Sequence, residues 1–149
     1  MNKVHAKRSR IYMMILALVL VLVSGKTPVF AATVNNFAGL KVAVERGDKT
    51  ITIDGNITVS ETLVIDHNVT ITGGTLTGGN LIKDDDPNSG NIFYVKDGKE
   101  LKLDGVTLDG TGKSRLIYSN GGTITLNEST LKNGCPGANA KANPGGGVS

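Results

Sequence analysis

One nine-residue pattern occurs three times between Thr70 and Asn133. Thr70 to Gly78 reads TITGGTLTG, Lys102 to Gly110 reads KLDGVTLDG, and Thr125 to Asn133 reads TLNESTLKN. Each copy has an aliphatic residue, a polar pair or glycines, a Thr-Leu pair and then a turn residue. Leu108 and Leu131 are 23 residues apart. Leu76 and Leu108 are 32 apart, and the hydrophilic run Lys83 to Asn91 accommodates the nine-residue excess. A period in the low twenties with strands and no helix inside it is the mark of a solenoid. An antiparallel sandwich of short strands would explain the strand spacing, but not the 23-residue self-match.

The flanking residues fit the same scheme. From Thr50 the hydrophobic period is two. Ile51 and Ile53 alternate with Thr, Ile57 and Val59 follow the turn Asp54-Gly55, and Leu63 and Ile65 come next. Val69 and Ile71 follow Asp66-His67-Asn68. The turns use Gly, Asn and Asp, which tolerate positive φ. Three strand directions per coil are expected, with equivalent strands paired in parallel about 4.8 Å apart. The prediction is an all-β parallel β-helix of about four coils over residues 49–134. Ile92-Phe93-Tyr94-Val95 aligns with Leu116-Ile117-Tyr118-Ser119 at an offset of 24, against 23 for the strands that follow. One turn residue therefore differs between Val95 and Leu103. Two registers are open there. The preferred one turns Phe93, Val95 and Ile117 inward and stacks Tyr94 on Tyr118 outside, because the opposite choice buries two phenols that need partners.

Ahead of the coils, Thr33 to Asp48 reads as a short amphipathic helix, and residues 32–48 are assigned to a cap. Asn35 or Asn36 caps its start, Gly47 ends it, and Phe37, Leu40, Ala43 and Val44 share a face. Such a helix covers the apolar cross-section and open edge of a first coil.

Residues 1–31 read as a secretory leader. Met1 to Arg10 is basic, Ile11 to Val23 is thirteen residues without a charge, and small residues follow Val29-Phe30. Cleavage is expected after Ala31, with Ala32 the alternative. An uncleaved leader would tie the chain to a membrane, although the apolar run is shorter than the roughly 17–25 residues of a spanning helix. The leader and its flank carry Lys3, Lys7, Arg8, Arg10 and Lys26, five of the 16 basic residues and none of the 13 acidic ones. The formal charge of +3 thus hides a remainder with 11 positive and 13 negative groups, a net of −2. That balance argues against a nucleic-acid surface. Cys135 is the only cysteine, so no internal disulfide can form. Residues 135–149 read as a Gly-rich loop, with Gly147-Val148 resembling the start of another strand. With no polar cap after Leu131, a truncated solenoid is expected.

Candidate sites are few. Asp84, Asp86 and Asn88 offer hard oxygen ligands for Ca²⁺, against a solvated loop of three adjacent acids. Tyr94 and Tyr118 offer a two-ring platform for a sugar, against a stacked pair that merely joins coils. Lys113, Arg115 and Lys132 suit an acidic polysaccharide, but Asp104, Asp109 and Glu128 lie nearby in sequence. Asp104 and Asp109 read as turn residues rather than a hydrolytic pair. His67 reads as a turn histidine without a dyad partner. Asn56, Asn68 and Asn127 head glycosylation-type triplets of a kind frequent by chance in Thr-rich chains.

The helix TVNNFAGLKVAV, the opening KTITIDGNITVSETLVID and the rungs NVTITGGTL, LKLDGVTLDG and TITLNESTLKNG resemble the right-handed parallel β-helix superfamily, often called pectin-lyase-like. The likeness covers Thr33 to about Val148 and is closest to the N-terminal coils of secreted or surface-bound bacterial proteins. It implies pectate lyases, other polysaccharide lyases, glycoside hydrolases or non-catalytic adhesins, since one fold hosts many functions. Val64-Ile65-Asp66-His67 matches the lyases' Trp-Ile-Asp-His motif only in part, so no catalytic residue carries over. The expectation is an exported surface or adhesion module that binds a polysaccharide or cell-surface glycan without catalysis. The alternative is the N-terminal part of a lyase or hydrolase whose site lies in later coils.

Overall fold

A computed structural model describes residues 30–82 and 89–135. Twelve strands and one helix lie among them. Strand β1 (Ala31–Val34) leads into helix α1 (Phe37–Arg46). Next come β2 (Thr50–Ile53), β3 (Asn56–Val59) and β4 (Leu63–Ile65), then β5 (Val69–Thr72), β6 (Thr75–Gly78) and β7 (Asn91–Val95). The chain continues through β8 (Glu100–Asp104), β9 (Thr107–Asp109) and β10 (Arg115–Ser119), and then β11 (Thr123–Asn127) and β12 (Thr130–Lys132).

Sheet order gives the architecture. One sheet runs β1-β2-β5-β8-β11, a second β3-β6-β9-β12, and a third β4-β7-β10. Past β1, neighbours in every sheet are three strands apart in the chain. Every pair is parallel. This is the connectivity of a parallel solenoid with three strand directions per coil, and it excludes the antiparallel sandwich.

Register aligns like residues coil upon coil. Ile57, Leu76, Leu108 and Leu131 form one column, and Ile51, Ile71, Leu103 and Leu126 a second. Leu63, Phe93 and Ile117 form a third. All but the members from β11 and β12 are fully buried. Alternation explains the pattern: in a strand every second side chain faces the same way, so a two-residue period loads one face with aliphatics.

The variable loops absorb the differences in coil length. Residues 79–90 join β6 to β7, where only 110–114 join β9 to β10. Residues 96–99 precede β8 and 120–122 precede β11, the one-residue difference expected from the offsets of 24 and 23.

The helix begins later than expected. Residues 31–34 pair with β2 as a strand instead of joining the helix. Asn36 is the N-cap, its Oδ1 accepting the Gly39 N–H at 2.9 Å, so the cap fixes the start at Phe37. Gly47 ends the helix at φ 84°, a left-handed conformation suited to glycine. Leu40, Ala43 and Val44 are buried and Phe37 packs against the core from a partly exposed position. The helix covers the β1, β3 and β4 end of the stack.

Asp48, directly after α1, is fully buried. Arg46 grips its carboxylate in a fork, Nε to Oδ1 at 2.8 Å and Nη2 to Oδ2 at 2.5 Å. The guanidinium also lies 5.3 Å from the Phe30 ring centroid. The Arg46 hydrogen bonds hold the Asp48 carboxyl below its ordinary pKa, against the opposing effect of burial.

Two outcomes follow. Leu108→Ala, in the middle of a column, should lower urea-unfolding stability by about 2–5 kcal/mol, and the part-exposed Leu131→Ala by roughly half or less. A depressed carboxylate stabilises the fold above its unfolded pKa and loses that contribution as pH falls through the folded value. The stability gap between wild type and Asp48→Asn should therefore be widest near neutral pH and close below about pH 4, as followed by unfolding at a series of pH values.

Candidate functional site

The outer face of the β4-β7-β10 sheet carries the most distinctive surface. Val64, Tyr94 and Tyr118 stand in register across its three strands. Because Phe93, Val95 and Ile117 are buried inside, alternation turns the tyrosines outward, as preferred from the sequence. The two rings stack with centroids 5.5 Å apart and planes 28° from parallel. That geometry modifies the platform expected for a sugar. Rings stacked along the solenoid axis cover each other's inner faces, so each offers one outer face and its edge rather than a flat two-ring floor. The outer side of Tyr94 looks toward Val64, its register partner, which is 42% exposed.

Val64 also lines a groove of about 400 Å³ between α1 and the turns flanking β4. Lys41, Glu45, Glu61, Asp66 and Lys96 supply its polar groups. Lys41 Nζ donates to Glu61 Oε1 at 2.7 Å and lies 3.8 Å from Glu45. The hydrogen bond to Glu61 raises the Lys41 pKa, so the ammonium stays charged. At the far end Asp66 Oδ1 lies 3.1 Å from His67 Nδ1, and that contact holds the Asp66 carboxyl low. The His67 Nε2 is buried without a hydrogen-bond partner, consistent with a turn histidine filling a corner. The groove thus combines an aliphatic floor, an aromatic neighbour and charges of both signs. It has donors and acceptors for a hydroxylated ligand, with only a small net charge.

A second depression of about 360 Å³ is lined by Asp109, Thr111, Gly112, Asn133 and Gly134. Its carboxylate is already committed. Asp109 Oδ1 accepts the Thr111 N–H at 2.9 Å and Asn133 Nδ2 at 3.0 Å, and Lys132 lies 3.4 Å from Oδ2. The Asn133 bond, foremost, holds the Asp109 pKa down. Thr111 and Asn133 sit at φ 54° and 53°, left-handed backbone that these bonds support. Asp104 likewise accepts Asn127 Nδ2 at 2.6 Å. Both acids stand at the ends of strands, Asp104 closing β8 and Asp109 closing β9, rather than in the turns expected, and their side chains fasten one coil to the next.

The other sequence candidates disperse. Asp84, Asp86 and Asn88, the Ca²⁺ candidates, lie outside the described residues. Lys132 pairs with Asp109, and Arg115 Nη1 donates to Ser89 O at 2.9 Å, so these cations take part in local contacts. Asn127 is engaged by Asp104, and Asn68 Oδ1 accepts the Glu100 N–H at 3.0 Å. Among the described residues no three His, Cys, Asp or Glu side chains converge as a metal site would require, and no helix is long and apolar enough to cross a membrane.

The groove itself escaped the sequence reading. Its signal was Leu63-Val64-Ile65, three aliphatics in a row where alternation calls for a polar middle residue. The Lys41–Glu61 contact joins residues 20 apart on a helix and a turn, and nothing in their spacing announces it. Comparison with protein-family models, characterised proteins and solved structures finds no match to the chain.

Proposed function

We propose that the chain is an exported, non-catalytic surface module, built as a right-handed parallel β-helix of the pectin-lyase-like kind, that binds a cell-surface or wall polysaccharide. The right hand rests on the strong preference for right-handed crossovers between parallel strands. Export rests on the basic, apolar and small-residue order of residues 1–31. The single observation that carries glycan binding is the continuity of Tyr94, Val64 and the α1–β4 groove on one outer face. An aromatic side with an apolar body and a polar tip, beside fixed carboxylates and ammonium groups, is the chemistry that meets a sugar ring and its hydroxyls.

Binding is tested by isothermal titration against xylan, a β-glucan and polygalacturonate. Tyr94→Ala should weaken the best of these about 10-fold, equivalent to roughly 1.4 kcal/mol. Tyr118→Ala should weaken it less, because that ring backs Tyr94 instead of meeting the ligand. Unchanged affinity in Tyr94→Ala would remove the proposed face. In a separate assay, polygalacturonate incubated with the chain and Ca²⁺ should give no rise in the absorbance of unsaturated product. A rise would favour the lyase reading.

A further inference from the structure

Among the described residues, Asn120 and Asn133 are the asparagines followed directly by glycine. That order carries a chemistry of its own. The backbone nitrogen of the following residue can attack the asparagine side-chain Cγ, and a glycine, with no Cβ, leaves the approach open. The two pairs sit in very different surroundings.

Asn133 is anchored on both sides. Its Nδ2 donates to Asp109 Oδ1 at 3.0 Å, its C=O accepts the Gly112 N–H at 2.8 Å, and Cys135 N–H donates to Ser114 O at 2.9 Å. Gly134 is thus held between two fixed residues, and its Cα packs where a Cβ on Gly110 would lie. The Asn133 amide cannot turn onto the Gly134 nitrogen until its charge-assisted bond to Asp109 breaks.

Asn120 lies in the turn from β10 to β11 and is exposed. Among the described residues its side-chain amide makes no hydrogen bond, and neither does the Gly121 N–H, the group that would attack. The fold also requires glycine at 121. Its φ is 78°, and a Cβ there would run into the Asp97 carboxylate.

We infer that Asn120 is a site of spontaneous modification that converts this turn to isoaspartate, while Asn133 is protected by the bonds that join its coil to the one before. The Gly121 nitrogen forms a bond to Asn120 Cγ, the Cγ–Nδ2 bond breaks, and Nδ2 leaves as ammonia with the Gly121 amide proton. Solvent water then opens the cyclic imide at either carbonyl. Opening at Cγ restores the ordinary backbone with an aspartate. Opening at the main-chain carbonyl leaves the chain running through the side chain, with one methylene added to the backbone. That methylene enters a closely fitted turn. Residues 120–122 are one fewer than 96–99 in the preceding coil, and the flanking Ser119 and Thr123 are already paired with Val95 and Glu100.

The test is peptide mapping of the full chain aged in mildly alkaline buffer, by a method that separates aspartate from isoaspartate. In the native chain Asn120 should lose its amide at least about tenfold faster than Asn133, the factor set by breaking one charge-assisted hydrogen bond before attack. In urea the two rates should converge. Asp109→Ala should speed Asn133 by about the same tenfold and leave Asn120 unchanged. Lys132→Ala, which removes a contact to Asp109 Oδ2 but not the Asn133 bond, should leave both rates as they were. Should Asp109→Ala fail to fold, the comparison of native with urea-treated wild type decides alone. Isoaspartate at 120 should lower the urea midpoint, whereas Asn120→Asp should not. Equal native rates, faster loss at Asn133, or a folded Asp109→Ala chain in which Asn133 stays slow would overturn the inference. So would aspartate as the sole product at 120, which would mean direct hydrolysis without attack by Gly121.

Discussion

Parallel pairing between successive coils is the constraint on which the molecule depends. It fixes each strand in register with the strands of adjacent coils, so Ile57, Leu76, Leu108 and Leu131 fall into line although the intervals between them vary. A slip of one residue would turn each strand's inward set to solvent, and the closed, buried interior makes that slip costly. Length variation is therefore confined to turns. Two of the connections into the third sheet, residues 79–90 in one coil and 110–114 in another, both deliver an Ile or Leu followed by a second aliphatic or aromatic residue to matched positions.

Where the chain must bend between sheets, backbone conformation and close approach choose the residue. Gly74 has φ 64°, and a Cβ there would run into Ile53 and the Gly55 carbonyl. Gly110 has the same problem with Ser114 O, Asn133 O and the Gly134 Cα. At Thr111 and Asn133 the left-handed backbone is reached without glycine, and Asp109 compensates by bonding to both. Carboxylates that look catalytic when counted in a sequence are thus used to hold corners. Their charge-assisted bonds to backbone N–H and Asn amide groups are strong for their size.

The scaffold was legible because it is periodic. The self-match of TLTG, TLDG and TLKN marks the coil, and alternation marks which residues face inward. The tyrosine register followed from a single argument about buried phenols. The start of α1 was not legible, because Thr33 and Val34 suit a strand or a helix equally and only the pairing of β1 with β2 decides. The groove was not legible for a different reason. It is made by the docking angle of α1 on β4, a tertiary fact with no periodicity. Even so, the aliphatic Val64 at an outward position was a local conflict of the kind that points to a surface with a task.

Stacking along the axis also determines where on such a scaffold recognition can occur. A ladder of identical residues turns the inner face of each member against the next, as Tyr94 and Tyr118 do, and so withdraws those faces from solvent. What remains is the end of the ladder and the edges along its flank. On the third sheet the ladder starts at Val64, a residue too small to cover the neighbouring ring, and that step coincides with the margin of the α1 groove. A break in the repeat, rather than the repeat itself, is what leaves an apolar ring face beside polar groups. The regular rungs supply rigidity, and the first irregular rung leaves the exposed apolar ground on which the proposed binding rests.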